Sequence, residues 1–206
     1  MHNLVKPQKH TGVKKGRKSG LFLILYKNYL ANNIKILESS NNFVWIEIDK
    51  SCIKNMQNNV LIAATYINDI TSTYYDDKIW DELYNGILKF GNENTLLLLM
   101  GDFNGRVGSL DVRYLESTLP DENIPALRTH IDIPVRRNTD KGLNAHGRKI
   151  IQLCQSIDLI ILNGRTKGDL LGNLTFMNAS QGTSTIDYGL CNNNFIIVWT
   201  ISSCCH

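Results

Sequence analysis

Short apolar runs alternate along this chain with two stretches of helical period, and that alternation predicts an α/β layered domain. The runs Leu21 to Tyr26, Ile34 to Leu37, Phe43 to Ile48 and Val60 to Tyr66 have strand length and composition. Asn-rich breaks at Asn32-Asn33 and Asn41-Asn42 separate them, which predicts hairpins or meanders. From Thr73 to Phe90 the residues Tyr75, Ile79, Leu83, Ile87 and Phe90 recur at steps of four and three, the signature of a helix with one core-facing stripe. Asp76 and Asp77 near its start suit the macrodipole, and Gly91 is its predicted stop. A second helix is predicted from Asn144 to Ile157, with Asn144 as cap and Ile150, Leu153, Cys154 and Ile157 on one side. The remaining predicted strands are Thr95 to Met100, Leu159 to Leu162, Leu174 to Met177, Thr185 to Leu190 and Phe195 to Trp199. One long irregular stretch, Ser109 to Gly142, reads as a surface loop of the kind that carries function.

A length of 206 residues holds one mid-sized domain. The expected layout is a basic arm over 1–19, a domain over 20–200 and a tail over 201–206. With 43% hydrophobic and 20% charged residues the composition is that of an ordinary globular chain. The longest apolar runs fall far short of the roughly 20 residues that a membrane-spanning helix needs, and no secretory signal precedes Gly20. No membrane partner is therefore expected, and the location is expected to be intracellular. Five cysteines without CxxC spacing fit a reducing compartment. Three adjacent residues, Cys204, Cys205 and His206, cannot easily surround one ion, so no metal site is expected there. The net charge of +3 is unevenly placed, because Lys6, Lys9, Lys14, Lys15, Arg17 and Lys18 crowd the first segment without an acid. That arm is either a phosphate-contacting element or a solvated terminus. The same two readings hold for Arg113, Arg128, Arg136 and Arg137 in the long loop.

The chemistry concentrates where the run Thr95 to Met100 ends in Gly101-Asp102-Phe103-Asn104-Gly105-Arg106. A continuous apolar run predicts a central strand buried on both faces, with Asp102 and Asn104 at its end and, in extended backbone, on the same side. A carboxylate beside a neutral donor suits phosphodiester hydrolysis: the first orients and deprotonates a water, the second hydrogen-bonds an oxygen on which charge grows. The competing reading is an Asx turn that caps the strand. Asp187 in Ser184-Thr-Ile-Asp-Tyr188 is a second acid, predicted mid-strand on the face opposite Ile186 and Tyr188. There it needs a histidine or metal partner, or else lies on an exposed face. Tyr66 closes its strand with a hydroxyl that either reaches a phosphate or packs.

The order of Tyr66, then Gly-Asp-Phe-Asn at 101–104, then Ser-Thr-Ile-Asp-Tyr at 184–188 resembles the DNase I-like endonuclease/exonuclease/phosphatase superfamily. Arg137-Asn-Thr-Asp140, Asn144-Ala-His-Gly-Arg148, Asp158 to Arg165, Gly168-Asp169 and Leu174-Thr-Phe176 resemble, more narrowly, the endonuclease domain of non-LTR retrotransposons and their craniofacial-development-protein-like relatives. The resemblance covers roughly 16–192. It implies a four-layer α/β sandwich, here truncated at both ends, and a Mg²⁺-dependent endonuclease that nicks DNA. It further implies a nuclear location and, in the intact parent protein, a reverse transcriptase of the same element as partner. By that resemblance Asp102 positions and deprotonates the attacking water, Asn104 and Tyr66 hold the scissile phosphate, and Asp187 orients the catalytic histidine. Thr175, Arg106 and Arg137 are the implied contacts to nucleic acid. The Mg²⁺ acts as a Lewis acid on the phosphate and leaving oxygen.

Two departures accompany these matches. The family's opening strands carry an Asn and a metal-binding Glu that neither Glu38 nor Glu47 replaces, and its closing Ser-Asp-His motif is met only by Ser202-Ser-Cys-Cys-His206. No metal ligand is assignable on that ground. The alternatives are a catalytically inactive remnant of the same fold and a phosphoinositide-type phosphoesterase.

Overall fold

The computed structural model describes residues 3–5, 22–53, 56–111, 133–180 and 182–196. The basic residues from Lys6 to Lys18, Arg113 and Arg128, the last residues of the expected strand Phe195 to Trp199, and Cys204, Cys205 and His206 lie outside them. The architecture is mixed α/β, and the chain divides into two compact units, 1–104 and 105–206.

In the first unit β1 (Asn3–Val5) pairs antiparallel with β2 (Phe22–Ile24). The expected Asn-rich turn at Asn32-Asn33 is instead the end of a 3₁₀ helix, Asn28–Asn33, in which the N–H of Leu30 donates to the carbonyl of Lys27 at 2.9 Å. Four neighbouring strands of one sheet follow: β3 (Ile34–Ser39), β4 (Phe43–Ile48), β5 (Val60–Tyr66) and β6 (Leu96–Asp102) lie in that order. The pairs β3/β4 and β4/β5 are antiparallel, as the short connections predict, and the turn at Ser40 is closed by the N–H of Ser40 on the carbonyl of Phe43 at 2.7 Å. The pair β5/β6 is parallel, and a parallel connection needs a crossover. Helix α1 (Ile79–Phe90) supplies it.

Helix α1 buries Ile79, Leu83 and Ile87 of the predicted stripe and, beyond it, Trp80 and Gly86, while Tyr75 and Phe90 are half-buried. Its first turn lies six residues later than the apolar pattern suggests. The reason is local competition for backbone donors, because Asp76 Oδ1 accepts from the N–H of Lys78 at 3.0 Å and Asp77 Oδ1 from the hydroxyl of Tyr75 at 2.7 Å. Trp45 of β4 lies under the helix. Its ring stands 5.3 Å from that of Phe90, and a Cβ on Gly86 would meet its Cζ2 at 2.3 Å. Strand β6 carries its apolar run as predicted at Leu96, Leu97 and Leu99, all buried, but Met100 is 47% exposed, so the strand emerges from the core just before its last two residues.

In the second unit helix α2 (Ala145–Ser156) is capped by Asn144, whose Oδ1 accepts from the N–H of Gly147 at 2.8 Å. It buries Ile150, Ile151, Leu153 and Cys154. Strand β7 (Leu159–Ile161) pairs antiparallel with β10 (Asp187–Asn192), and β8 (Phe176–Asn178) with β9 (Gly182–Ser184). The expected strand Thr185 to Leu190 is thus shifted, since Thr185 and Ile186 form the link between β9 and β10 and are held by side chains described below. The long loop is less exposed than its composition suggests: Arg136, Asn138 and Asp140 are all buried.

Candidate functional site

Strand β6 ends beside β5 in parallel register, with Thr65 opposite Gly101 and Tyr66 opposite Asp102. Gly101 has φ +142°, and a Cβ there would stand 2.0 Å from the carbonyl oxygen of Thr65. No other residue lets β6 lie this close to β5 while delivering Asp102 at its end. Beyond it the chain folds into a tight hydrogen-bonded knot. The N–H of Ile67 donates to the carbonyl of Asp102 at 2.8 Å, the carboxamide Nδ2 of Asn104 to the carbonyl of Ile67 at 2.8 Å, and the N–H of Asn104 to Asp102 Oδ1 at 2.8 Å. Phe103, wholly buried, anchors the turn from below.

The extended geometry expected for Asp102 and Asn104 is not what forms. Asn104 is left-handed, with φ +47°, a conformation asparagine tolerates because its short amide bonds locally. The carboxylate of Asp102 therefore serves as an Asx-turn acceptor. Tyr66 is half-buried, and its main chain is tied on both sides to Asn42, whose carbonyl accepts from the N–H of Tyr66 at 2.8 Å and whose Nδ2 donates to its carbonyl at 2.9 Å. Tyr66 thus lies opposite Asp102 in register, and Asn104 bonds the residue that follows Tyr66.

In the second unit Asp140 is the hub. It is 4% exposed and receives Arg106 bidentately, Nε on Oδ2 at 2.9 Å and Nη2 on Oδ1 at 2.6 Å, together with the N–H groups of Thr185 at 3.0 Å and Gly142 at 2.8 Å. Burial works to raise its pKa, but the Arg106 hydrogen bonds and the two backbone donors jointly outweigh it, and the carboxyl is held below the usual aspartate range. Arg106, expected as a nucleic-acid contact, has its charge matched by this pair. Tyr188 is buried and pushed up to about 12, chiefly by desolvation, while its hydroxyl donates to the carbonyl of Thr185 at 2.8 Å. It braces the same link.

Thr175 and Asp187 are neighbours. The hydroxyl of Thr175 accepts from the N–H groups of Ile186 and Asp187, each at 3.1 Å, and Asn163 Nδ2 donates to the carbonyl of Asp187 at 3.0 Å. Asp187 is the first residue of β10 rather than a mid-strand acid, half-exposed, and its carboxylate makes no hydrogen bond or ion pair among the described residues.

Arg136 and Arg137 part ways. Arg136, read from the sequence as either a phosphate contact or a solvated charge, is 7% exposed and gives Nη1 to the carbonyls of Gly108 and Leu110, both at 3.0 Å. Arg137 is exposed, and its guanidinium has no partner among the described residues. Both line a cavity of about 460 Å³ with Asn138, Thr139, Lys141, Ser109 and Leu171. Sequence reasoning also passed over Arg165. Its Nε donates to the carbonyl of Pro134 at 2.9 Å, its Nη1 to that of Ile161 at 2.8 Å, and its Nη2 pairs with Asp111. Nothing in the local pattern announces these pairings, because each partner is 30 or more positions away or supplies only main chain.

Among the described residues no three or more His, Cys, Asp or Glu side chains are grouped to hold a metal ion, and no helix is long and apolar enough to cross a membrane. Asp102 alone does not make the ligand set that the resemblance to Mg²⁺ enzymes implies, and the chemistry below runs through the chain's own groups. No protein-family model and no curated protein matches this sequence.

Proposed function

We propose that the chain is a DNase I-like phosphodiesterase, of the DNA-nicking type found in non-LTR retrotransposons, with the strand end at Asp102 as its reacting centre. The observation that carries this reading is the knot joining Tyr66, Asp102 and Asn104 across the parallel pair β5/β6. Ends of parallel strands are where α/β proteins present reactive groups. Here a carboxylate and a carboxamide are fixed on one such end by hydrogen bonds to the main chain, with Tyr66 beside them in register and Gly101 as the residue that makes the approach possible.

In this mechanism Asp102 takes the proton of a water aligned with a phosphodiester. Its orientation is set in advance, because Asn104 N–H locks one carboxylate oxygen. Asn104 and Tyr66 steady the phosphate. Asp187, held at the head of β10 through Thr175, has the orienting role toward a histidine that the resemblance implies. Mg²⁺, which the resemblance implies, would supply Lewis acidity in such a site, and none of these steps is routed through it. DNA is the substrate, and the four-layer sandwich, the nuclear location and the association with a reverse transcriptase belong to the same reading. The test is nicking of supercoiled plasmid by the purified chain in Mg²⁺ or EDTA, beside Asp102→Asn. Metal-dependent nicking lost in the variant supports the assignment. Equal nicking by both proteins excludes Asp102 as the base.

A further inference from the structure

The second unit contains a buried positive charge that no acid among the described residues matches. Arg136 is over nine-tenths buried, and while Nη1 is fixed on two carbonyls, Nε and Nη2 have no acceptor among the described residues. Buried guanidinium groups normally pair with a carboxylate, because an uncompensated ion in a poorly solvated place is costly. Among the described residues the two acids of this region are committed elsewhere: Asp111 to Arg165, and Asp140 to Arg106 and two backbone donors. Burial accordingly pushes the Arg136 pKa down from its ordinary value, and Arg165 adds to that push.

Arg136 lines the 460 Å³ cavity, and so do two further cations, Arg137 and Lys141, with no acid among the lining residues. Lys141 Nζ is held in place by a 2.7 Å hydrogen bond to the carbonyl of Asn138. An ammonium has three donors, so this anchor positions it without consuming it. The exposed guanidinium of Arg137 offers a planar fork, the geometry that matches phosphate. At one side stands Leu171, 59% exposed, next to Leu170 at 55%. The cavity volume lies within the range of about 300–1,000 Å³ typical of small-molecule sites, larger than a bare anion requires.

We infer that this cavity binds the phosphate group of a phosphate ester, with Arg137 and Lys141 as direct ligands, Arg136 as the fixed positive charge behind them, and Leu171 against the apolar part of the same molecule. The site lies wholly within the second unit and uses none of Tyr66, Asp102, Asn104 or Asp187, so it stands or falls apart from the nicking reaction. A free nucleotide and the backbone of a nucleic-acid strand present the same chemistry to it.

The test is isothermal titration of the full chain in EDTA with inorganic phosphate, adenosine monophosphate and a thymidine oligonucleotide. The proteins are the unaltered chain, Arg137→Ala/Lys141→Ala, and Arg148→Ala, an exposed charge on α2 outside the cavity, with melting curves to show that each is folded. Saturable binding weakened about tenfold or more in the double variant and unchanged in Arg148→Ala is expected. If the mononucleotide binds and the oligonucleotide does not compete, the ligand is a free phosphate ester. Competition between them, with the oligonucleotide tighter, identifies a strand backbone. Binding of every probe equally by all three proteins, or of no probe by the unaltered chain, overturns the inference.

Discussion

The N–H of Asn104 donates to Asp102 Oδ1 at 2.8 Å, so the residue that is to hold the phosphate also orients the residue that is to activate the water. In the proposed mechanism the structural and the chemical role fall on one carboxylate. Asp102→Asn separates them, because the amide retains an acceptor oxygen for the turn while it cannot take a proton. Its melting temperature is expected to stay close to that of the unaltered chain, while nicking falls by about 10²–10⁴-fold. A large loss of stability instead would show that the carboxylate charge itself supports the fold.

Gly101 sets the approach of β6 to β5, and a methyl group there meets the Thr65 carbonyl at 2.0 Å in a backbone conformation that suits only glycine. Gly101→Ala is expected to lose about 3 kcal/mol or more in urea unfolding. A loss below about 1 kcal/mol would mean that the strand pair can separate at this end without consequence.

Asp140 is held below the usual aspartate range, which fixes the sign of its pH dependence. A carboxyl with a depressed pKa in the folded state contributes stability that is present above the ordinary value of about 3.9 and is lost as the pH falls through the depressed one. Asp140→Asn should lose about 2–3 kcal/mol at neutral pH, and the gap to the unaltered chain should narrow below pH ~4. A constant gap across that window would refute the linkage.

Much of this was legible in the chain. The apolar runs at Val60 and Thr95 and the stripe from Ile79 to Phe90 gave the strands and the helix, because period and length suffice where one face is buried. Gly-Asp-Phe-Asn was recognisable as either a turn or a reacting centre, and Asp102 makes the turn. What remained hidden was polar burial: Arg106 with Asp140 and Arg165 with Asp111 pair across 34 and 54 positions, and no local pattern distinguishes them from solvated loop charges. The left-handed turn at Asn104 was missed for a different reason, since alternation describes strands and says nothing about the residue just past a strand's end.

Thr175 holds two backbone N–H groups through its hydroxyl. Thr175→Val should therefore cost about 1 kcal/mol and disturb Asp187, while Thr175→Ser should restore both stability and nicking. Failure of serine to rescue would point to the methyl group, and so to a contact other than these two hydrogen bonds.

Burial pushes the Cys154 thiol up to about 12, and Cys191 is buried as well, whereas Cys52 is half-exposed. Iodoacetamide at pH 8 should label the Cys52 peptide in the native chain and spare the other two until denaturant is added. Native labelling of Cys154 would show that the packing of α2 opens readily.

The central claim, a phosphodiesterase centred on Asp102, is tested most directly by plasmid nicking with the purified chain in Mg²⁺ against EDTA, beside Asp102→Asn at equal folded concentration. The account predicts open-circular product with the unaltered chain in Mg²⁺ alone and almost none with the variant. No metal-dependent nicking by the unaltered chain, or nicking that Asp102→Asn retains in full, would contradict it.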